Sequence, residues 1–291
     1  GARRTLGRVD HRDAFLDTHS LERARGITIF SKQAQFSTPA RNFTMVDTPG
    51  HVDFSGEMER TLPILDCAVL VISGSAGVQA HTLTLWRLLG KYQVPTVLFI
   101  NKMDLPGTDS ASLLEQLKQK LSPACVDFGD AEALAENAAL CDEALLETYL
   151  ETGTVTDANI RGLVENRRIF PCCFGSALRL EGIRELLDIL DTFAPQPQYP
   201  DVFGARVYKI SRDPQGNRLT WLKVTGGSLP VRKPIVYHSR KGDTLEEKTV
   251  QLRLYSGDKF NPVETVEAGG FCAVTGLSAT WAGQGLGIES A

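Results

Sequence analysis

Two continuous apolar runs of strand length, Cys67-Ala-Val-Leu-Val-Ile72 and Thr96-Val-Leu-Phe-Ile100, do most to restrict how this chain can fold. Neither alternates with polar residues, so each reads as a parallel strand covered on both faces. Between them, residues 80–91 place Leu83, Trp86, Leu88 and Leu89 at helical spacing, with Gly90 near the end. Strand, helix and strand in succession predict a doubly wound α/β domain. Further helices are expected at about 55–65, 109–121, 130–151 and 156–167. Phe170-Pro-Cys-Cys-Phe174 supplies another strand, and Glu181 to Phe193 a helix with Ile183, Leu186, Leu187 and Leu190 on one face. Upstream, Gln33 to Phe36 and Asn42 to Val46 read as two short strands around a Ser-Thr-Pro-Ala turn.

The pattern changes at Ala194-Pro-Gln-Pro-Gln-Tyr-Pro200, which is stiff, proline-rich and without periodicity, as a linker is. Beyond it come short alternating strands, clearest at Val207–Ile210, Leu219–Val224, Pro234–Tyr237, Val250–Tyr255 and Phe271–Val274. Asp213-Pro-Gln-Gly-Asn217 reads as a hairpin turn. A small closed β-barrel is expected there. The expected domains are therefore 1–195, α/β, and 202–291, all-β. A length of 291 residues suits two domains, each with its own core.

A net charge of −4 argues against autonomous gripping of free DNA or RNA, while leaving local basic patches able to dock on a large RNA particle. None of the six cysteines forms a Cys-x-x-Cys pair. Buried thiols in a reducing cytoplasm are expected, rather than disulfides or a zinc site. No apolar run approaches the roughly 18 residues of a membrane span, and no secretory signal is visible.

The residues that carry chemistry stand at the predicted strand ends. Asp47-Thr48-Pro49-Gly50 closes one strand. A carboxylate there can hold Mg²⁺ through water, and the amide of a glycine can approach a terminal phosphate closely. Read alone, a plain β-turn accounts for Asp, Pro and Gly better. The following His51 could orient a water that attacks phosphorus, although a lone histidine is more often a surface or capping residue. Asn101-Lys102-Met103-Asp104 follows the apolar strand 96–100. An aspartate accepts from both the ring N–H and the exocyclic amine of guanine, a pattern adenine does not offer, while Asn101 and Lys102 would hold the neighbouring loop and the base. Alone, this tetrapeptide is a weak signal, and its position after Asp47, across a strand and a helix, strengthens it. Gly175-Ser176-Ala177 could present backbone amides to the guanine carbonyl, or be an ordinary small-residue turn. Thr28, in Arg25-Gly-Ile-Thr-Ile29, could complete a Mg²⁺ shell only while the terminal phosphate is present, or be an ordinary strand residue.

Taken in order, these segments resemble the translational GTPases of the elongation factor G superfamily. Glu22-Arg-Ala-Arg-Gly-Ile-Thr-Ile29, Asp47-Thr-Pro-Gly-His-Val-Asp-Phe54, Gly77-Val-Gln79 and Asn101-Lys-Met-Asp104 carry the likeness, which covers nearly the whole chain. Gly7-Arg-Val-Asp-His11 with Asp17-Thr18 is most similar to the tetracycline-resistance ribosomal protection proteins, and Gly226-Gly-Ser-Leu229 with Ala273-Val-Thr-Gly-Leu277 to the barrel domain that follows. The resemblance implies a P-loop-type GTPase domain followed by a β-barrel, with GTP or GDP and Mg²⁺ as cofactors. It places Thr28 and Asp47 on the metal, Gly50 on the γ-phosphate and His51 on the hydrolytic water. Asn101, Lys102, Asp104, Ser176 and Ala177 fall on guanine. The implied partner is the ribosome, its RNA and proteins, in the cytoplasm, with no DNA or membrane partner and a monomeric chain.

The pattern departs from that family in three places. No Gly-x-x-x-x-Gly-Lys-[Ser/Thr] loop occurs in the 291 residues, so the first strand, phosphate loop and first helix are expected to precede Gly1. The stretch from Asp104 to Gly175 is shorter than in elongation factor G, and the later domains that distinguish translocation from drug protection are not in this sequence. The rival reading is a ribosome- or partner-docking module, derived from such a GTPase, that does not hydrolyse nucleotide.

Overall fold

The structure, a computed structural model, describes residues 32–48, 55–256 and 259–289. By packing, the chain divides into one unit over Leu65–Gln196 and another made of Gly1–Ile64 with Pro197–Ala291.

The first of these units is built on a four-stranded parallel sheet. Its strands are β3 (Ala68–Ser73), β4 (Thr96–Asn101), β5 (Cys125–Asp127) and β6 (Phe170–Phe174), in the order β3-β4-β6-β5. Parallel neighbours need crossovers, and helices supply them: α2 (Ala80–Lys91) between β3 and β4, and α3 (Ser110–Lys120) between β4 and β5. α4 (Ala131–Leu140), α5 (Glu143–Thr152) and α6 (Asp157–Glu165) lead from β5 to β6, and α7 (Ile183–Phe193) follows. β4 is buried from Thr96 to Ile100, which is why its sequence is apolar without alternation. β3 departs from the expectation of two covered faces. It is one of the two edge strands among the described residues, with Leu70 and Ile72 buried but Val71 58% exposed. A second core joins Val126, Leu134, Ala138, Ile160, Leu163, Val164 and Ile169.

Residues 130–151, expected as one helix, form two. Asp142 explains the break: its carboxylate accepts from Ala144 N (3.1 Å) and Leu145 N (3.4 Å), starting α5 afresh, and Arg168 holds it at 2.8 Å. Asp109, Asp130 and Thr156 cap α3, α4 and α6 in the same way. At the N-terminal end of β4, Arg167 donates to Thr96 Oγ1 (2.9 Å) and to Val94 O, and lies over the rings of Trp86 and Phe170. Its planar fork and flat face make both contacts at once, which a lysine would not.

The second unit is mainly antiparallel β. Before the parallel domain come β1 (Lys32–Ser37) and β2 (Asn42–Asp47), paired with Lys32 opposite Asp47, then α1 (Ser55–Thr61) and a 3₁₀ turn at Leu62–Ile64. After Pro197 come β7 (Gly204–Arg212), β8 (Arg218–Gly226), β9 (Ser228–Pro230), β10 (Pro234–His238), β11 (Thr244–Lys248) and β12 (Gln251–Ser256). β13 (Lys259–Val263), β14 (Thr265–Glu267), β15 (Phe271–Thr275) and β16 (Gly285–Gly287) complete it. The largest sheet runs β13-β12-β15-β8-β7-β16, with the pairs β10-β11 and β14-β9 beside it. One core serves all three, joining Val207, Leu222, Val224, Leu229, Ile235, Tyr237, Leu252, Val266, Val274 and Leu286. Ile64 also packs with Tyr208 and Phe271, and the buried Lys223 donates from Nζ to Ile64 O at 3.0 Å.

The turn Asp213–Asn217 forms as expected, with Asp213 N on Asn217 O (2.9 Å) and Gly216 at φ +84°. Asp213 does more than turn the chain. Its carboxylate accepts from Gln215 N, Asn217 N, Asn217 Nδ2 and, at 3.0 Å, from Arg253 on β12. The Asn217 side chain first, and then Arg253, hold this carboxyl below the usual carboxylate range. The folded value lies below the unfolded one, so the stabilisation is full above about pH 4 and fades as pH falls through the folded value. Asp213→Ala is expected to lower the urea midpoint at pH 7, and by a smaller margin at pH 3. Equal losses at the two pH values would remove the carboxylate as the cause.

All six cysteines are free thiols. Burial pushes the Cys67 and Cys272 thiols up to about 12 and Cys173 to about 11, so at neutral pH they stay protonated and unreactive. Among the described residues no helix is long and apolar enough to cross a membrane, and no cluster of His, Cys, Asp and Glu suits a metal ion.

Candidate functional site

The C-terminal ends of the central strands meet where an open parallel sheet presents its loops. β4 and β6 are neighbours, with Ile100 opposite Phe174, so the segments after Asn101 and after Phe174 leave the sheet side by side. Backbone bonds join them: Gly175 N donates to Ile100 O (2.9 Å) and Met103 N to Gly175 O (3.0 Å). The Asn101 side chain adds a third link. Its Oδ1 accepts from Lys102 N (2.8 Å) and from Ala177 N (2.9 Å), tying two loops 76 residues apart in sequence. The chain reverses at Lys102, whose φ of +66° is left-handed and strained for a residue with a side chain, a kind of strain that clusters at ligand sites. Thr108 Oγ1 secures the far side of the loop by donating to Met103 O (2.8 Å) and Leu105 O (2.9 Å).

Space at this edge is tight. A Cβ on Gly74, after β3, would fall 2.7 Å from the Met103 sulfur, and Gly74 N already donates to Asn101 O at 2.7 Å. One on Gly175 would fall 2.2 Å from Glu181 O. Glycine at 175 is therefore a packing requirement, since the atom it would meet is backbone, whereas at Gly74 the Met103 side chain would have to give way. Beyond β3, Val78 N donates to Gln116 Oε1 on α3 at 2.6 Å, fixing the Gly77-Val-Gln79 segment.

Asn101, Lys102, Asp104, Ser176 and Ala177 thus come together. Asp104 is held at this edge with its side chain 13% exposed. The amides of Ser176 and Ala177, expected to face a base, are engaged within the loop: Ser176 N donates to Glu181 O at 3.0 Å and Ala177 N to Asn101 Oδ1. Asp47 closes β2 in the other unit and is half-buried. Thr28, Gly50 and His51 lie outside the described residues. Two contributors carried no sequence signal. Met103 fills the space above Gly74, and Arg179 approaches Asp104, its Nε 3.5 Å from Oδ2.

A parallel α/β domain with clamped strand-end loops, joined to an antiparallel β domain, is the class this molecule represents. Residues 2–196 match the elongation factor Tu GTP binding domain, and the chain belongs to that family of translational GTPases. It is 28% identical over 353 residues to elongation factor G of Ureaplasma urealyticum serovar 10, covering 97% of this chain and 51% of the relative. With elongation factor G 1 of Geobacter sulfurreducens the identity is 31% over 357 residues, covering 98% and 51%. A crystal structure of a Thermus thermophilus protein superposes with a TM-score of 0.84 at 23% identity, over 99% of this chain and 50% of that one. That likeness carries the order of domains, α/β first and antiparallel β second. The chain spans about half the length of the curated relatives it matches.

Proposed function

We propose that the intact gene product binds GTP with Mg²⁺ and hydrolyses it on the ribosome, in the cytoplasm, as a monomer that contacts ribosomal RNA and proteins. The observation that carries this reading is the Asn101 clamp, which sets the Asp104 carboxylate beside the Ser176–Ala177 loop at one strand edge. In this reading Asp104 accepts from the two guanine N–H groups, and the Lys102 stem lies against the base. Asn101, Ser176 and Ala177 hold the loop that surrounds the base. Thr28 and Asp47 serve Mg²⁺, which when bound neutralises phosphate charge. The Gly50 amide faces the γ-phosphate, and His51 orients the attacking water.

The tetracycline-protection subtype is the finer proposal, supported by Gly7-Arg-Val-Asp-His11 and Asp17-Thr18. Phosphate release from GTP by the intact gene product, measured with and without ribosomes, tests the main reading. Stimulation by ribosomes is expected. Nucleotide binding without stimulated release would favour a docking module, and absence of guanine-nucleotide binding would end the proposal. Tetracycline tolerance of cells expressing the gene decides the subtype.

A further inference from the structure

Positive charge gathers in one cleft of the β domain, in a chain whose net charge is −4. The cleft encloses about 720 Å³, within the roughly 300–1,000 Å³ of small-molecule sites. Arg218 of β8, Arg240 and Lys241 of the β10–β11 turn, and Trp281 line it, and Asp243 is the one acid among its described lining residues. Arg60 of α1 and Lys209 of β7 add charge, although both are also engaged in other contacts. The turn is fixed by its own bonds. Ser239 N donates to Asp243 O at 2.8 Å and Gly242 N to Ser239 O at 3.0 Å, with Gly242 at φ +92°. Ser239 Oγ accepts from Lys241 N and Asp243 N, both at 3.2 Å, and donates to Asp243 Oδ2. Arg240 and Lys241 are therefore held side by side, both exposed. Trp281 stands on a second fixed loop, where Trp281 N donates to Gln284 Oε1 at 3.1 Å and Gly283 N to Val207 O at 2.7 Å. The Arg240 guanidinium lies 5.4 Å from the centre of the Trp281 ring, so charge and flat surface stand together. Arg218 donates to Thr280 O on the same loop. Glu247, the acid within its electrostatic reach, is taken by Tyr237 OH and by Ser278 N.

We propose that this cleft is a second ligand site, which binds a free nucleotide carrying several phosphates. It goes beyond the GTP reading, since none of its residues belongs to the strand-end loops of the α/β domain. Gathering like charges costs self-repulsion, which a polyanion relieves, and a cleft lined by one sign focuses the field that draws an anion in. Arg240 and Lys241 suit phosphate oxygens, the guanidinium with paired donors and the ammonium as a point charge. Trp281 supplies the flat apolar surface on which a base stacks. A cleft of this volume, with cations brought in by separate segments, suits a small molecule, whereas an RNA strand is tracked by a longer basic groove.

Adenosine triphosphate (ATP) is the probe, because its base does not suit the guanine reading of Asp104. Its dissociation constant, with those of tripolyphosphate and a hexa-adenylate RNA, would be measured by equilibrium dialysis on the intact gene product. The proteins compared are wild type, Arg240→Ala with Lys241→Ala, and Trp281→Ala. Saturable ATP binding is expected, weakened about five- to thirtyfold by the paired substitution, the scale of two exposed ionic contacts. Tripolyphosphate should weaken to the same extent. Trp281→Ala should weaken ATP about tenfold while leaving tripolyphosphate within about twofold. The paired variant alters two exposed side chains and keeps the backbone bonds of the turn, so it should melt as wild type does and stays decisive even if Trp281→Ala fails to fold. ATP binding that the paired substitution leaves unchanged would overturn the proposal, since a nucleotide held at the strand-end loops would behave that way. So would the absence of saturable ATP binding. Equal losses of ATP and tripolyphosphate in Trp281→Ala would remove the nucleotide and leave a bare phosphate site. Binding of the RNA without ATP would overturn the small ligand in favour of an RNA groove.

Discussion

Asp104→Asn is expected to weaken GDP and GTP by about 10²–10⁴-fold, through the loss of two hydrogen bonds to a charged acceptor at about 1.5–3 kcal/mol each. The carboxylate accepts twice, whereas an amide accepts once and donates once, so its N–H would face the guanine amine. The same substitution should improve binding of xanthosine diphosphate, whose carbonyl at that position can accept from the new amide. Asn occupies nearly the same volume, and the Asn101 clamp, the reversal at Lys102 and the Thr108 bonds do not involve the Asp104 side chain, so the loop should keep its shape. Nucleotide titration with guanine, xanthine and adenine diphosphates reads the outcome. Unaltered guanine selectivity would withdraw Asp104 from base recognition.

His51→Ala is expected to lower ribosome-stimulated GTP hydrolysis by about 10²–10⁴-fold, the range for loss of a group that orients or deprotonates a nucleophile. An imidazole can accept from water at one nitrogen while donating at the other, and alanine can do neither. Because the proposed role concerns the water and not the base, affinity for GTP should stay within about twofold, so that the loss falls on kcat. Single-turnover hydrolysis on ribosomes, paired with equilibrium binding, separates the two. Turnover at the wild-type rate would end the assignment. A parallel loss of binding would place His51 in the nucleotide's hold instead.

The elements differ in how far local sequence announces them. β4 and β6 are legible because burial on both faces demands apolar residues throughout, and no helix of that length competes. α7 is legible from its apolar stripe, and Asp213–Asn217 from its turn residues. The break between α4 and α5 is hidden because helix-forming residues continue across it, from Ala138-Ala-Leu140 to Glu143-Ala-Leu-Leu146. Only the capping bonds of Asp142 and its pair with Arg168 reveal a new start. β11, Thr-Leu-Glu-Glu-Lys, and β13, Lys-Phe-Asn-Pro-Val, carry charges or a proline and look like loop. They are strands because β10 and β12 offer them ladders. β5, β9, β14 and β16 have three residues each, too few to show a period.

By itself the sequence determined that 96–100 and 170–174 would be strands of a parallel sheet, and which tetrapeptide would stand at a strand end. Each of those follows from residues next to one another in the chain. Tertiary structure alone decided that the Asn101 amide would bind the backbone of Ala177, that glycine would be required at 175, and that Arg179 would reach Asp104. The Asn101 contact joins segments 76 residues apart, and the glycine requirement depends on how closely neighbouring loops approach. No local pattern encodes such distances, because they are set by how β4 and β6 pair and by where that pairing lets their loops meet.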